Sequence, residues 1–462
     1  MSAAIERDLR RALEAIVGAG AVLTGADTRP YLHDATEAQG LVGRADAVVL
    51  PDAPEQVARA LEWCYERGVP VTPRGGGTGY AGGAVPHGGV VIASDRLRRV
   101  RSIDPGLWRA QVEAGLTTRH LQRLARENGL CFPVDPGAAE QSQLGGNVAT
   151  NAAGPHAFKY GAMRAWVTGL EAVVPPGRVI RVGGQVRKDV AGYDLTSLLV
   201  GSEGTLAIVT AVDVRLIPAV AARRPVVGFY ASVQAGVAAL EAALSSGIVP
   251  GALEYLDGAS MAISGAAFPC EVPSVGVQFV LLAEADGSVE EAASGRAALQ
   301  DALGPGALGV YAPESEPQVA ALWRWREGVS LAVAAAHGGK MSEDIAVPVD
   351  RLGEAVLRTL QIGERHGLAA CSWGHAGDGN LHSTFMFDRR DGDLVAAAAR
   401  AAEDLFALAV ELDGTISGEH GVGVIKAGWL RRQWPAEAVA LHEGVKGLFD
   451  PRGLLNPGKK AA

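Results

Sequence analysis

The sequence predicts an α+β protein of more than one domain, and three observations carry that expectation. At 462 residues the chain exceeds the roughly 250 to 300 residues at which a single core stops growing. Short β-like runs alternate with helical patterns along its whole length. Three glycine-rich stretches punctuate the first half, each beside segments able to pack.

In order, Ile5, Leu9, Leu13 and Ile16 recur at helical spacing, so the chain opens with an amphipathic helix. Asp46 to Leu50 reads as a strand. Pro54 then opens a helix whose Val57, Leu61 and Cys64 share a face until Gly68 ends it. Between the β runs Val69 to Thr72 and Val90 to Ala93 lies Pro73-Arg74-Gly75-Gly76-Gly77-Thr78-Gly79-Tyr80-Ala81-Gly82-Gly83-Ala84. So many glycines carry a backbone entropy cost and supply no packing. A bound anion offsets that cost, because bare backbone approaches phosphate oxygens and successive N–H groups form a donor nest. The stretch lacks the Gly-Lys-Ser/Thr of a P-loop and the immediate helix of a Rossmann turn. Taken alone it fits a flexible surface loop equally well.

A second cluster comprises Pro133 to Gly137 and Gly145-Gly146-Asn147-Val148-Ala149-Thr150-Asn151-Ala152-Ala153-Gly154. A third comprises Lys188 to Leu195, with Tyr193, and Gly201-Ser202-Glu203-Gly204-Thr205-Leu206. Three such loops in one mixed unit ending near Pro218 imply an extended, phosphate-bearing ligand. From about Val226 strands (226 to 231, 277 to 283, 345 to 347, one toward Trp373) alternate with helices (237 to 244, 289 to 303, 318 to 336, 352 to 366, 394 to 412). That pattern predicts a sheet with helices on one side.

Bulk properties exclude several classes. A net charge of −9 argues against a nucleic-acid partner. Cys64, Cys131, Cys270 and Cys371 stand far apart, so a cysteine-bound cluster or zinc within the chain is not expected. The first 23 residues lack the apolar core of a signal peptide, and no run reaches the roughly 18 apolar residues of a membrane span. A cytoplasmic protein, at most peripheral to the inner face of the membrane, is the expectation.

The sharpest chemical signal is Gly374-His375-Ala376-Gly377-Asp378-Gly379-Asn380-Leu381-His382. The glycines disfavour a helix, and on a straight strand the two histidines would point oppositely. A glycine bend that folds one imidazole toward the other makes a metal site, with Zn²⁺ the first choice and Mn or Fe as alternatives. The expected carboxylate is Glu419 of Gly418-Glu419-His420-Gly421-Val422-Gly423. In an extended segment Glu419 and His420 project to opposite sides.

Taken together, these residues resemble the FAD-linked oxidases of the vanillyl-alcohol oxidase superfamily, in the branch of D-lactate dehydrogenase, D-2-hydroxyglutarate dehydrogenase and the glycolate oxidase flavoprotein subunit. The matching motifs are Pro73 to Thr78, Asp135-Pro136, Gly145-Gly146-Asn147, Lys159-Tyr160-Gly161, Gly192 to Leu195 and Gly201 to Thr205. The resemblance implies a helical segment (1–40), a FAD-binding domain (41–220), an α+β substrate or cap domain (221–425) and a segment returning to the FAD domain (426–462). It implies that FAD is held by Pro73, Arg74, Gly75, Gly76, Gly77, Thr78, Gly79, Gly82, Pro136, Gly145, Gly146, Asn147, Thr150, Asn151, Gly154, Tyr193, Glu203, Gly204, Ile208 and Asn456. Thr78 stands where relatives with covalent flavin have histidine, so a non-covalent cofactor is implied.

By the same resemblance His375, His382 and Glu419 match metal ligands, His420 the catalytic base, and Arg326 of Trp323-Arg324-Trp325-Arg326-Glu327 the arginine that holds a substrate carboxylate. Lys340 is a weaker cation candidate, and Asn380 orients the hydroxyl or a ligand, or serves the turn. The implied reaction is oxidation of a D-2-hydroxy acid, D-lactate or glycolate first and D-2-hydroxyglutarate as the alternative. A divalent metal acidifies the hydroxyl, and an imidazole, with an ordinary pKa of about 6.5, takes the proton as hydride passes to flavin N5. Electrons then leave to an acceptor that the sequence does not name: quinone, an iron-sulfur subunit, an electron-transfer flavoprotein, a cytochrome or oxygen. A homodimer is open. The competing readings are a non-catalytic FAD-binding subunit of a glycolate oxidase complex and a metallohydrolase. The first is expected to lack the histidine and Glu-His motifs, and the second leaves the glycine loops and the Asn456-Pro457-Gly458-Lys459 tail without a shared purpose.

Overall fold

The computed structural model describes residues 3–271, 273 and 276–460. The chain folds as two compact units. One takes the chain up to Ala153, then Ala162–Ala219, and everything from Glu419 on; the other takes Gly154–Gly161 and Val220–Gly418.

In the first unit the opening helix is Ala3–Val17 and the next is Pro54–Arg67. Their Leu9, Leu13, Val57, Leu61 and Cys64 form one buried core with Val49, Val90, Ile92 and Leu455. The four-stranded sheet runs Val22–Leu23, Ala47–Val49, Val90–Ala93, Val71–Arg74. Val71–Arg74 and Val90–Ala93 are parallel neighbours. A parallel pair needs a crossover that returns the chain to the starting end, usually through a helix. Here the glycine stretch makes that return without one.

A five-stranded antiparallel sheet follows, in the order Val100–Asp104, Arg109–Glu113, Ile208–Arg215, Val167–Val174, Arg178–Gly183. The C-terminal segment joins this unit: Val71 N donates to Leu454 O (2.8 Å), Asn456 N donates to Val71 O (2.7 Å), and Lys446 Nζ donates to Thr205 O (2.8 Å).

The second unit carries a seven-stranded antiparallel sheet in the order Ala307–Tyr311, Ala222–Tyr230, Phe279–Gly287, Ala252–Asp257, Ala369–His375, Asn380–Met386, Lys340–Ala346. Helices cover both of its faces, which corrects the expected one-sided arrangement. Phe279 to Ala283 is apolar at successive positions, and a strand of that kind needs a cover on each side. Gly236 and Gly295, on helices Val233–Leu244 and Val289–Leu303, meet Phe279 and Ala285 on one face. On the other face Val280 and Leu282 pack with Leu322, Trp325, Val329 and Val333 of the helix Glu316–His337.

Two boundaries differ from the sequence reading. Gly154 and Lys159-Tyr160-Gly161, expected in the FAD domain, lie in the second unit. There Tyr160 Oη donates to Asp286 Oδ2 (2.6 Å), Lys159 pairs with Asp286, and His156 Nε2 sits 3.0 Å from the buried Glu284. Conversely, residues 419–425, read as part of the cap, belong to the first unit.

Candidate active site

In the second unit the histidine motif folds as a tight hairpin. Ala369–His375 ends in a short turn, Gly379 takes φ 64°, and Asn380–Met386 returns. A Cβ at Gly379 would fall 2.0 Å from Val347 O, so both the left-handed backbone and the close approach require glycine. The register sets His375 opposite Asn380 and Trp373 opposite His382. His375 and His382 are therefore diagonal neighbours on one face. Their rings stand edge to face with centroids 5.2 Å apart, and both are buried.

Glu254, in the next strand, is the direct partner of His375 and faces the same way. Its Oε1 lies 2.5 Å from His375 Nδ1. Arg326, on the helix over that face, is 7 % exposed and brings Nη2 to 2.5 Å from Glu254 Oε2. Arg324, two residues away, is exposed; Arg326 lies on the buried stripe with Leu322 and Val329. Burial works to raise the Glu254 carboxyl, but His375 and Arg326 outweigh it and hold it below its ordinary value.

Asn380 donates to Asp344 Oδ1 (2.6 Å) and Ile345 O (2.8 Å), tying the hairpin to its neighbouring strand, while its Oδ1 has no partner among the described residues. Asp344, fully buried, also accepts from Ser417 Oγ at 2.9 Å. Lys340 is engaged elsewhere: its Nζ donates to Ser330 Oγ (2.6 Å) and lies over the Trp373 ring. Burial pulls this ammonium down to about 8. Its folded pKa thus lies below the unfolded one, so between about pH 8 and 10.5 the unfolded chain binds more protons and stability rises with pH. Thermal melts of Lys340→Met are expected to lose part of that rise, on the order of 1 kcal/mol.

In the first unit the Glu-His segment is not extended, which corrects the expectation that its two side chains diverge. The chain bends, with Gly421 at φ 86° and Gly423 at φ 50°, and His420 Nε2 comes within 3.8 Å of Glu419 Oε1. The His420 ring stacks on Tyr80 of the glycine stretch, centroids 4.7 Å apart. Burial, and secondarily the Glu419 carboxylate, raise the Tyr80 phenol above its ordinary value.

The residues expected to hold a cofactor divide by what they touch. Gly75 to Gly79 keep a half-buried open face, and no amide from Gly75 to Gly83 donates to a carbonyl among the described residues. A Cβ at Gly76 would stand 2.2 Å from Gln141 O, and one at Gly75 would stand 3.2 Å from Gly146. The first and second glycine clusters therefore lie side by side. Gly145 to Thr150, read from the sequence as part of a glycine loop, are instead helical, in Leu144–Thr150. Asn147 Nδ2 donates to Thr118 Oγ1 (2.6 Å), Thr150 Oγ1 to Gly146 O (3.2 Å), and Asn151 Oδ1 accepts from Arg164 N (2.8 Å).

Arg74 donates to His33 O (2.6 Å) and Pro30 O (3.0 Å), so its guanidinium is used on the N-terminal segment. Glu203 accepts from Val422 N (2.9 Å), Gly423 N (2.7 Å) and Lys460 Nζ (3.1 Å). Asn456 Nδ2 donates to Gly83 O (3.1 Å) and Glu203 O (2.7 Å). Gly204 backs onto Pro73, and Ile208 is in the core. Pro136 is half-buried, whereas Tyr193 stands in solvent, 97 % exposed. Glu254 and Asp344 are the residues that sequence reasoning missed. For Glu254 the signal was a carboxylate inside an apolar run, Leu253-Glu254-Tyr255-Leu256; Asp344, in the polar stretch Ser342-Glu343-Asp344, carried none.

The family model described as FAD linked oxidases, C-terminal domain, matches residues 220–460, and that of a FAD binding domain matches residues 45–183. This chain belongs to the FAD-linked oxidases. As a member of that family it is a flavoprotein oxidoreductase. The oxidase is 36% identical over 434 residues to the glycolate oxidase subunit GlcD of Bacillus subtilis, covering 94% of this chain and 92% of the relative. It is 36% identical to the D-lactate dehydrogenase of Archaeoglobus fulgidus (89% and 90% covered) and 32% identical to that of Anaerostipes hadrus (93% and 92%). Among solved structures, 4-ethylphenol oxidase from Gulosibacter chungangensis superposes with TM-score 0.81 at 19% identity, covering 100% of this chain and 98% of that one. p-Cresol methylhydroxylase gives 0.80 at 17%, covering 100% and 97%. The latter two establish the fold, of the vanillyl-alcohol oxidase type. No helix among the described residues is long and apolar enough to cross a membrane.

The residues present fit FAD. A run of unused amides bordered by glycines suits a pyrophosphate, and close by in sequence to Asn456, Lys459 Nζ is buried without a hydrogen-bond partner among the described residues. The histidine pair fits a borderline divalent ion as well: two buried imidazoles share a face, and a carboxylate on Nδ1 of one of them is the arrangement that orients a metal-binding histidine.

Proposed function

We propose that this FAD-linked oxidase is a dehydrogenase of a D-2-hydroxy acid, D-lactate or glycolate first and D-2-hydroxyglutarate as the alternative, producing the 2-oxo acid. The observation that carries the reading is the buried triad Arg326, Glu254 and His375 beside His382, which sets a carboxylate-binding cation next to a pair of imidazoles. The names of the relatives support the same substrate class.

FAD, held without a covalent bond by Gly75 to Gly79, Gly82 and their neighbours, supplies hydride acceptance. His375, His382 and Glu419 would hold a divalent ion, zinc first, which would supply acidification of the hydroxyl. Arg326 holds the substrate carboxylate through its planar fork. His420 accepts the hydroxyl proton, its ring plane set by Tyr80. Asn380 fixes the hairpin that carries both histidines.

A relative named as a subunit supports a partner protein that takes the electrons. Quinone, an iron-sulfur subunit, an electron-transfer flavoprotein or a cytochrome would each serve. The test is anaerobic mixing of the purified yellow protein with D- and L-2-hydroxy acids. Bleaching by a D-acid or glycolate, abolished by a chelator and restored by Zn²⁺ or Mn²⁺, is the expected result. A flavin that no 2-hydroxy acid bleaches removes the reading.

A further inference from the structure

We infer that Glu254 is a positioning residue that sets two working groups at once: the nitrogen His375 offers to a metal and the direction of the Arg326 fork. The inference rests on the proposed function and extends it to a residue on a third strand.

Glu254 lies inside the sheet and is fully buried. Its neighbours on the same face are Leu256 of its own strand and Leu282 of the next, both in the apolar core. A leucine at position 254 would continue that packing, and replacing a buried ion pair by apolar side chains is often neutral or stabilising. A carboxylate here therefore has no packing reason, and its contacts supply another. Oε1 sits 2.5 Å from His375 Nδ1 and Oε2 sits 2.5 Å from Arg326 Nη2. Accepting the Nδ1 proton fixes the imidazole tautomer with its lone pair on Nε2, the nitrogen then suited to a cation. The ion pair with Nη2 holds the guanidinium against this face of the sheet without hydrogen-bond geometry, and both Glu254 Oε2 and Arg326 Nε are buried with no hydrogen-bond partner among the described residues. An unsatisfied charged donor in the interior is costly. The substrate carboxylate is the acceptor that relieves it.

Two consequences follow. Arg326 acts as a pre-oriented donor more than as a bare positive charge, because Glu254 already balances it. The metal ligand and the substrate arginine are also coupled through one carboxylate, so a change at Glu254 registers in both.

The experiment uses the flavin-loaded full chain, made metal-free and titrated with Zn²⁺, for wild type and Glu254→Gln. The expected result is a 10- to 100-fold weaker Zn²⁺ dissociation constant, a raised KM for the hydroxy acid, and flavin content equal to wild type. Should Glu254→Gln fail to retain flavin, the paired variant Glu254→Leu with Arg326→Leu removes both charges and is compared with Arg326→Leu alone; the pair is expected to show the weaker Zn²⁺ binding. Equal Zn²⁺ affinity and equal KM in Glu254→Gln, or equal Zn²⁺ affinity in the two leucine variants, overturns the assignment of Glu254 while leaving the proposed function standing. A wild type that takes up no divalent ion and is bleached by no 2-hydroxy acid overturns both.

Discussion

Replacing His420 with alanine is expected to slow anaerobic flavin reduction by roughly 10²- to 10⁴-fold, the range associated with loss of a general base, while the protein keeps its flavin and its melting temperature. The separation of effects follows from how the segment is held. Its backbone is fixed by bonds that do not involve the imidazole: Glu203 takes the amides of Val422 and Gly423, and Val424 N donates to Ala81 O at 2.9 Å. The ring stacks on Tyr80, which is itself about half exposed. Single-turnover reduction followed at the flavin band checks the prediction. A rate within threefold of wild type would move the base to another residue.

Replacing Glu203 with alanine is expected to lower stability by about 3 to 5 kcal/mol, the cost of removing one partner of a buried charge network, and to loosen flavin binding. Glu203 is buried and takes φ 52°. Its carboxylate serves two amides and the Lys460 ammonium, and its own carbonyl accepts from Asn456. The truncated protein leaves those amides and Lys460 without their acceptor. Glu203→Gln is expected to lose less, because an amide oxygen still accepts from one N–H while its NH₂ opposes the others. Urea denaturation midpoints with flavin release as a second probe check this. An alanine variant as stable as wild type would show that the segment from Glu419 to Gly423 is held by other contacts.

Much of the site was legible as local pattern. The glycine stretch was legible as bare backbone, but alone it fitted a flexible surface loop equally well; the second and third clusters tipped it toward a ligand cradle. The hairpin was legible from its glycines: Gly374, Gly377 and Gly379 between two histidines forbid a helix and demand a bend. Arg326 was legible as an arginine but not as a buried one, since Arg324 lies two residues away and which of them faces the sheet depends on the helix's rotation. Glu254 was legible only as a carboxylate inside an apolar run, not as the partner of His375. It stands 121 residues from His375, and only strand register makes them neighbours. Glu203 was recognised but given a different job, because the amides it holds are more than 200 residues further along the chain.

The sequence by itself determined most of the strands and helices and which residue types were on hand for chemistry, because periodicity, glycine and capping act over a few residues; it misread Gly145 to Thr150, which are helical, as loop. The tertiary structure alone decided which carboxylate meets which cation and whether the sheet is covered on one face or both. Those outcomes rest on pairing register and on burial, where unlike charges must find each other and every apolar face must find a cover, and no local stretch of chain carries that information.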